Sequence, residues 1–161
     1  MRKLWAPWRA KFILHVKKDE CIFCTKPKEG DEEAYILYRG RYNFIMLNIF
    51  PYNSGHLMIA PYAHKSSPEM LSREEYTEMF ELLQWSIENL RLALKPDGFN
   101  VGFNIGRVSG AGYEGHIHMH VVPRWNGDTN FMPVLADTKV VSVGIEDTYR
   151  TLKPLFERES Q

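Results

Sequence analysis

The stretch His116-Ile117-His118-Met119-His120-Val121-Val122 holds three of the chain's six histidines, each separated from the next by one apolar residue. Side chains alternate across an extended strand. This register therefore puts His116, His118 and His120 on one side and Ile117, Met119 and Val121 on the other. Neighbouring imidazoles on one face of a strand stand about 6.5 to 7 Å apart. At that spacing three nitrogen bases line the edge of one small site, the central one flanked by two that can donate protons or bind metal. Imidazole is a competent nucleophile and proton carrier near neutral pH, and its charged form complements phosphate oxygens. The competing readings are a solvated strand face and a metal clip.

With 161 residues, 44% hydrophobic and 13% aromatic, the chain can bury one proper core and reads as a single domain over 1–161. Lysine and arginine total 20 and aspartate and glutamate total 20. That balance argues against an electrostatic nucleic-acid or membrane binder and favours small-molecule substrates. The first residues lack a long apolar core followed by a small-residue cleavage site, and no later stretch is apolar enough to span a bilayer, so a cytoplasmic protein is expected. The two cysteines, Cys21 and Cys24, have metal or redox spacing rather than the usage of a disulfide scaffold.

Residues 1–33 read as an irregular arm carrying Trp5, Trp8 and the cysteine pair, 34–124 as the core, and 125–161 as a C-terminal extension. Ala34 to Tyr38 and Tyr42 to Leu47 are β-rich runs split by Arg39-Gly40-Arg41, a hairpin signal. Pro51, Asn53, Ser54 and Gly55 make a turn before a third strand, His56 to Ala60, which Pro61 stops. From Ser72 to Leu94 apolar residues recur at helical spacing, with Ser72 three residues before Glu75 as a capping box. Phe99 to Ile105 alternates as a strand, Gly106 to Gly115 is a glycine-rich loop, and the histidine strand spans His116 to Pro123, the two strands pairing as a hairpin. A short strand near Val140 to Val143 and a helix from Ile145 to Phe156 complete the chain. This order indicates an α+β fold with an antiparallel sheet, one long helix and a C-terminal helix.

His116 to Val122 matches the His-φ-His-φ-His-φ-φ signature of the histidine triad family at every position. Leu47-Asn48 and Asn53-Ser54-Gly55-His56 resemble that family's nucleoside-contacting strand and turn, and Asn104-Ile105-Gly106 the segment leading to its phosphate loop. Leu4 to Arg9 and Pro123 to Phe131 are more specifically similar to the branch of diadenosine tetraphosphate phosphorylases and related nucleotidyltransferases. The resemblance implies a nucleotidyl transfer from dinucleoside polyphosphates in which His118 attacks the α-phosphate to form a covalent nucleotidyl-histidine, with phosphate as acceptor. Hydrolysis of the same substrates or of nucleoside phosphoramidates uses the same triad. A nucleotide-binding module without turnover is the alternative of a different class.

By the same resemblance His120 stands by the departing or bridging oxygen and His56 is an additional active-site histidine. Asn48 matches the ribose-binding position and Asn104 a phosphate-contacting one, where an amide donates to an oxyanion without repelling it. The loop from Ser109 through Gly112 to Gly115 offers small residues and backbone N–H groups for close approach to phosphates. Many members carry Gly-Gln-Ser or Gly-Gln-Thr just before the triad, whereas this chain has Gly112-Tyr113-Glu114. Ser109 or Arg107 would have to supply those contacts, and Glu114 disfavours a highly charged ligand unless it turns outward. Zinc-bearing members combine two cysteines with a histidine after the third strand and the first triad histidine, which implies Cys21, Cys24, His64 and His116 as ligands here. A Cys₂His₂ set is closed, so such a zinc is structural. Trp5, Trp8 and Trp125 either stack on an adenine or pack the arm and an interface. The family's usual homodimer and an adenine nucleotide or dinucleoside polyphosphate partner are implied by resemblance as well.

Overall fold

The computed structural model describes residues 20–110, 112–128 and 143–157. Trp5, Trp8 and residues 140–142 of the expected late strand lie outside them, and Val143 is a bend. The described part of the arm departs from the irregular coil expected of it. Single-turn helices α1 (Ile22–Thr25) and α2 (Asp31–Ala34) flank a 3₁₀ turn at Lys26–Lys28. Four-residue helices are too short to show a 3.6-residue period, so sequence patterning could not reveal them.

Strands β1 (Ile36–Arg39), β2 (Asn43–Leu47), β3 (Leu57–Pro61), β4 (Gly98–Phe103) and β5 (Met119–Arg124) form one antiparallel sheet in the order β1-β2-β3-β5-β4. The two expected hairpin partnerships are present, β1 with β2 and β4 with β5. Every residue of β2 and β3 is buried, so both faces of the sheet's middle are covered. The two covers differ in kind.

On one face, Leu37, Ile45, Leu47, Leu57, Ile59, Met119 and Val121 meet α3 (Arg73–Leu94) and α4 (Ile145–Leu152), which contribute Met79, Leu82, Leu90, Tyr149 and Leu152. The α3 start is the capping box expected from Ser72. Its hydroxyl accepts from Glu75 N–H at 3.2 Å, and the Glu75 carboxylate accepts from Ser72 N–H at 2.6 Å. Lys95, in the left-handed region, ends the helix. On the other face Cys21 and Phe23 of the arm cover Ile36, Phe44, Met46, Met58 and Ala60.

The turn between β2 and β3 is packed against the C-terminal end of α3. Gly55 has φ +77° there, which favours glycine, and a Cβ on it would fall 2.5 Å from Leu94 Cδ1 and displace that side chain. Asn53 ties the same turn to β5, donating to the Pro123 carbonyl at 3.0 Å and to Asp128 at 2.7 Å. The loop carrying His56 is thus held from both sides. Among the described residues no helix is long and apolar enough to cross a membrane.

Candidate functional site

His120 lies inside the β5 ladder, opposite Met58 of β3 and Gly102 of β4, and so faces the arm side of the sheet. His116 and His118 do not continue that ladder, although a strand from His116 was expected. The backbone between them is engaged elsewhere. Ile117 N–H donates to the Lys65 carbonyl, and the His116 carbonyl is taken by the His118 ring. The His118 and His120 rings approach to 4.8 Å between centroids.

His118 is 4% exposed and its Nδ1 lies 2.8 Å from the His116 carbonyl oxygen. A carbonyl only accepts, so Nδ1 carries the proton and Nε2 keeps its lone pair. Burial pushes the His118 pKa below its ordinary value against the opposing pull of that carbonyl, which favours the neutral, nucleophilic imidazole. Phe23, 1% exposed, stacks on the ring at 4.4 Å and 26°. The nucleophile candidate is therefore fixed by a hydrogen bond at one nitrogen and an aromatic wall on one face.

A second chain of contacts sets the state of His120. Tyr52 backbone N–H donates to His56 Nδ1 at 3.1 Å, and the Asn48 amide nitrogen stands 3.5 Å from the same atom. The proton of neutral His56 thus resides on Nε2, which lies 2.9 Å from His120 Nδ1. His120 accepts at Nδ1 and so carries its own proton on Nε2, which requires the Asn104 amide, whose nitrogen stands 3.4 Å from that atom, to turn its oxygen toward it. Burial, with a smaller push from His118, depresses His120 to about 4, so near neutral pH it offers a hydrogen-bond donor rather than a positive charge.

The four ligand candidates converge. One donor atom from each of Cys21, Cys24, His64 and His116 lies within 4.8 Å of the others. His116 Nδ1 is 3.3 Å from Cys21 Sγ and 3.6 Å from Cys24 Sγ, and His64 Nδ1 is 3.3 Å from Cys24 Sγ. His116 Nε2 donates to the Pro61 carbonyl at 2.8 Å, which leaves Nδ1 as the lone-pair nitrogen facing the thiols. Burial pushes His116 down to about 4, which keeps the ring neutral and its Nδ1 lone pair available. Two sulfurs, two nitrogens and an oriented outer hydrogen bond fit a closed tetrahedral metal centre.

The glycine loop contributes less than its composition promised. Ser109 Oγ donates to Gly106's carbonyl at 2.7 Å, and Gly112 and Arg107 are exposed. Glu114 is exposed as well, turned outward as a charged ligand would require. Tyr113 packs instead against the Cys21 cluster, and a Cβ at Gly115 would come tightly against its ring, at 3.2 Å. Trp125 Nε1 donates to the Leu94 carbonyl at 3.3 Å, a packing role at the end of α3. Sequence reasoning missed Phe23, Tyr52 and the Pro61 carbonyl. Phe23 stands between the cysteines and Tyr52 just ahead of His56, and proximity to those motifs was the only available signal.

Comparison with known proteins agrees with this geometry. Residues 29–127 match the HIT domain family model. An AP-4-A phosphorylase of Mycobacterium tuberculosis strain H37Rv is 36% identical over 168 residues, covering 99% of this chain and 86% of that protein. An uncharacterised HIT-like protein of Methanocaldococcus jannaschii is 29% identical, covering 83% of this chain and 98% of its own. The crystal structure of a zinc-bound histidine triad family protein from Mycobacterium smegmatis superposes with a TM-score of 0.67 at 25% identity, over 85% of this chain and 93% of that one.

Proposed function

Because the chain belongs to the HIT domain family, we propose that it transfers a nucleotidyl group from dinucleoside polyphosphates of the diadenosine tetraphosphate type to inorganic phosphate. The observation that carries this reading is the hydrogen-bond pattern that assigns a lone pair to His118 Nε2 and a proton to His120 Nε2, on rings whose centroids lie 4.8 Å apart. Support for the substrate class comes from the AP-4-A phosphorylase relative.

His118 Nε2 attacks the α-phosphorus, an N–P bond forms, and the bridging P–O bond breaks. The adduct ring becomes cationic and its Nδ1–H strengthens its bond to the His116 carbonyl, which stabilises the charged intermediate. The departing ATP oxygen accepts from His120 Nε2–H. A neutral imidazole holds that proton tightly, so His120 contributes charge stabilisation rather than full proton transfer. Phosphate then attacks the adduct, releases ADP and restores His118. Asn48 binds the ribose and Asn104 a phosphate oxygen, with His56 orienting His120. Ser109 and Gly112 belong to the loop that meets the polyphosphate.

Cys21, Cys24, His64 and His116 would hold zinc, which supplies a cross-link between the arm and the segment leading to His118. Replacing Cys21 by Ser should lower the bound zinc measured by mass spectrometry, and full retention would remove zinc from this account. Two copies would associate through the exposed edge strand β4 and the exposed Tyr76 and Phe80 of α3, which sedimentation velocity would show as a dimer.

The reaction is tested by product identity. Diadenosine tetraphosphate should yield ADP and ATP only when phosphate is present, with a nucleotidyl adduct at His118 trapped by alkaline quench. Equal turnover without phosphate would overturn the phosphorylase reading in favour of a hydrolase.

A further inference from the structure

The aromatic rings of the site run in a row with two unlike ends. Phe23 is buried and stacks on His118 at 4.4 Å; His118 meets His120 at 4.8 Å; Tyr52 lies on His120 at 5.9 Å and 30°, and on His56 at 4.7 Å. Tyr52 is 42% exposed, whereas His118, His56 and Phe23 are buried. The row therefore has a closed end beside the nucleophile and an open aromatic end beside the histidine that meets the departing oxygen.

We propose that Tyr52 is the stacking platform for the base of the departing nucleotide, and so the residue by which the site prefers a dinucleoside polyphosphate to a mononucleoside one. The inference rests on the nucleotidyl-transfer reading above. Phe23 closes the His118 end of the row, so a leaving chain that starts at His118 has the His120 side open to it, and there the exposed Tyr52 ring lies 5.9 Å from His120. An exposed ring braced from behind by two imidazoles loses little freedom on stacking. Nucleobases stack on such rings irrespective of sequence. The backbone N–H of Tyr52 also orients His56, but that donor is independent of the side chain, so the two roles separate by mutation.

The test compares KM for diadenosine tetraphosphate with KM for adenosine tetraphosphate, which carries the same transferred group and phosphate chain without the second nucleoside. The wild-type protein should favour the dinucleotide. Tyr52→Ala should raise KM for the dinucleotide about tenfold more than KM for adenosine tetraphosphate, with kcat for the two substrates changed alike, and Tyr52→Trp should restore the preference. Equal effects on both substrates, or no effect on either, would overturn the proposal, as would a wild-type protein that does not distinguish them. Should Tyr52→Ala fail to fold, Tyr52→Phe must keep the preference. Should no nucleotidyl-His118 form from either substrate, the underlying reading fails instead, and binding of the two nucleotides by calorimetry still decides the role of Tyr52.

Discussion

The two faces of the sheet are built from the same strands by opposite rules. Toward α3 and α4 the chain presents Leu57, Ile59, Met119 and Val121, interchangeable in kind and held by area alone. Toward the arm it presents His120 and Met58, and beside them His56, His116 and His118, whose positions depend on single hydrogen bonds with one permitted direction. A packed apolar face tolerates change in proportion to the volume lost. A face of buried imidazoles tolerates almost none, because moving one proton inverts the donor and acceptor roles of its neighbour.

That contrast is sharpest where one face fails and the other does not. The largest effect belongs to His118→Ala, which should cut the rate of ADP and ATP formation on the order of 10⁴-fold or more, far beyond what its loss of stability accounts for. A variant that retains turnover would break the distinction. Leu90→Ala should do the reverse. Leu90 is fully buried in the helical core, and truncation should cost about 2 to 5 kcal/mol of unfolding free energy, read by denaturant titration, with the folded enzyme's kcat little changed.

Gly55→Ala lies on the border of the two regions, since it strains the His56 turn and meets Leu94 of α3. A cost of about 1 to 3 kcal/mol together with a lowered kcat is expected. A loss in stability alone would show that the turn does not orient His56. The smallest effect is one of pH. His120, facing His56, His118, Tyr52 and Asn104, is depressed to about 4 chiefly by burial. Its unfolded counterpart binds a proton near 6.5, so the unfolded state takes up more protons between those values. Stability should therefore fall as pH drops from about 6.5 toward 4, and the rate of adduct formation should show no acid limb at 6 to 7. An acid limb there would mean that His118 or His120 takes up its proton at 6 to 7 and that burial does not hold it neutral.

The helical face was legible because its signals are local or periodic. Ser72 with Glu75 announced the start of α3, and apolar spacing carried it to Leu94. The site was legible as residues but not as geometry. His116, His118 and His120 were read as one strand face, yet only His120 lies in the ladder; before it, Ile117 N–H donates to the Lys65 carbonyl and the His116 carbonyl accepts from the His118 ring. The convergence of Cys21 and Cys24 with His64 and His116 followed from resemblance, and the donor atoms do meet. Nothing in alternation or spacing could place Phe23 on His118 or Tyr52 over His120, since these contacts join segments roughly 70 to 95 positions apart through packing.

The orientation of His56, and through it of His120, begins at the backbone N–H of Tyr52. A main-chain donor has no titration range and no side chain to remove, so this end of the relay is invisible to alanine scanning and immune to pH. Among the natural amino acids only proline deletes it. A Tyr52→Pro chain would thus carry a lesion whose cause no survey of catalytic side chains could locate, and selection at position 52 acts on two separable properties, a ring and the absence of proline.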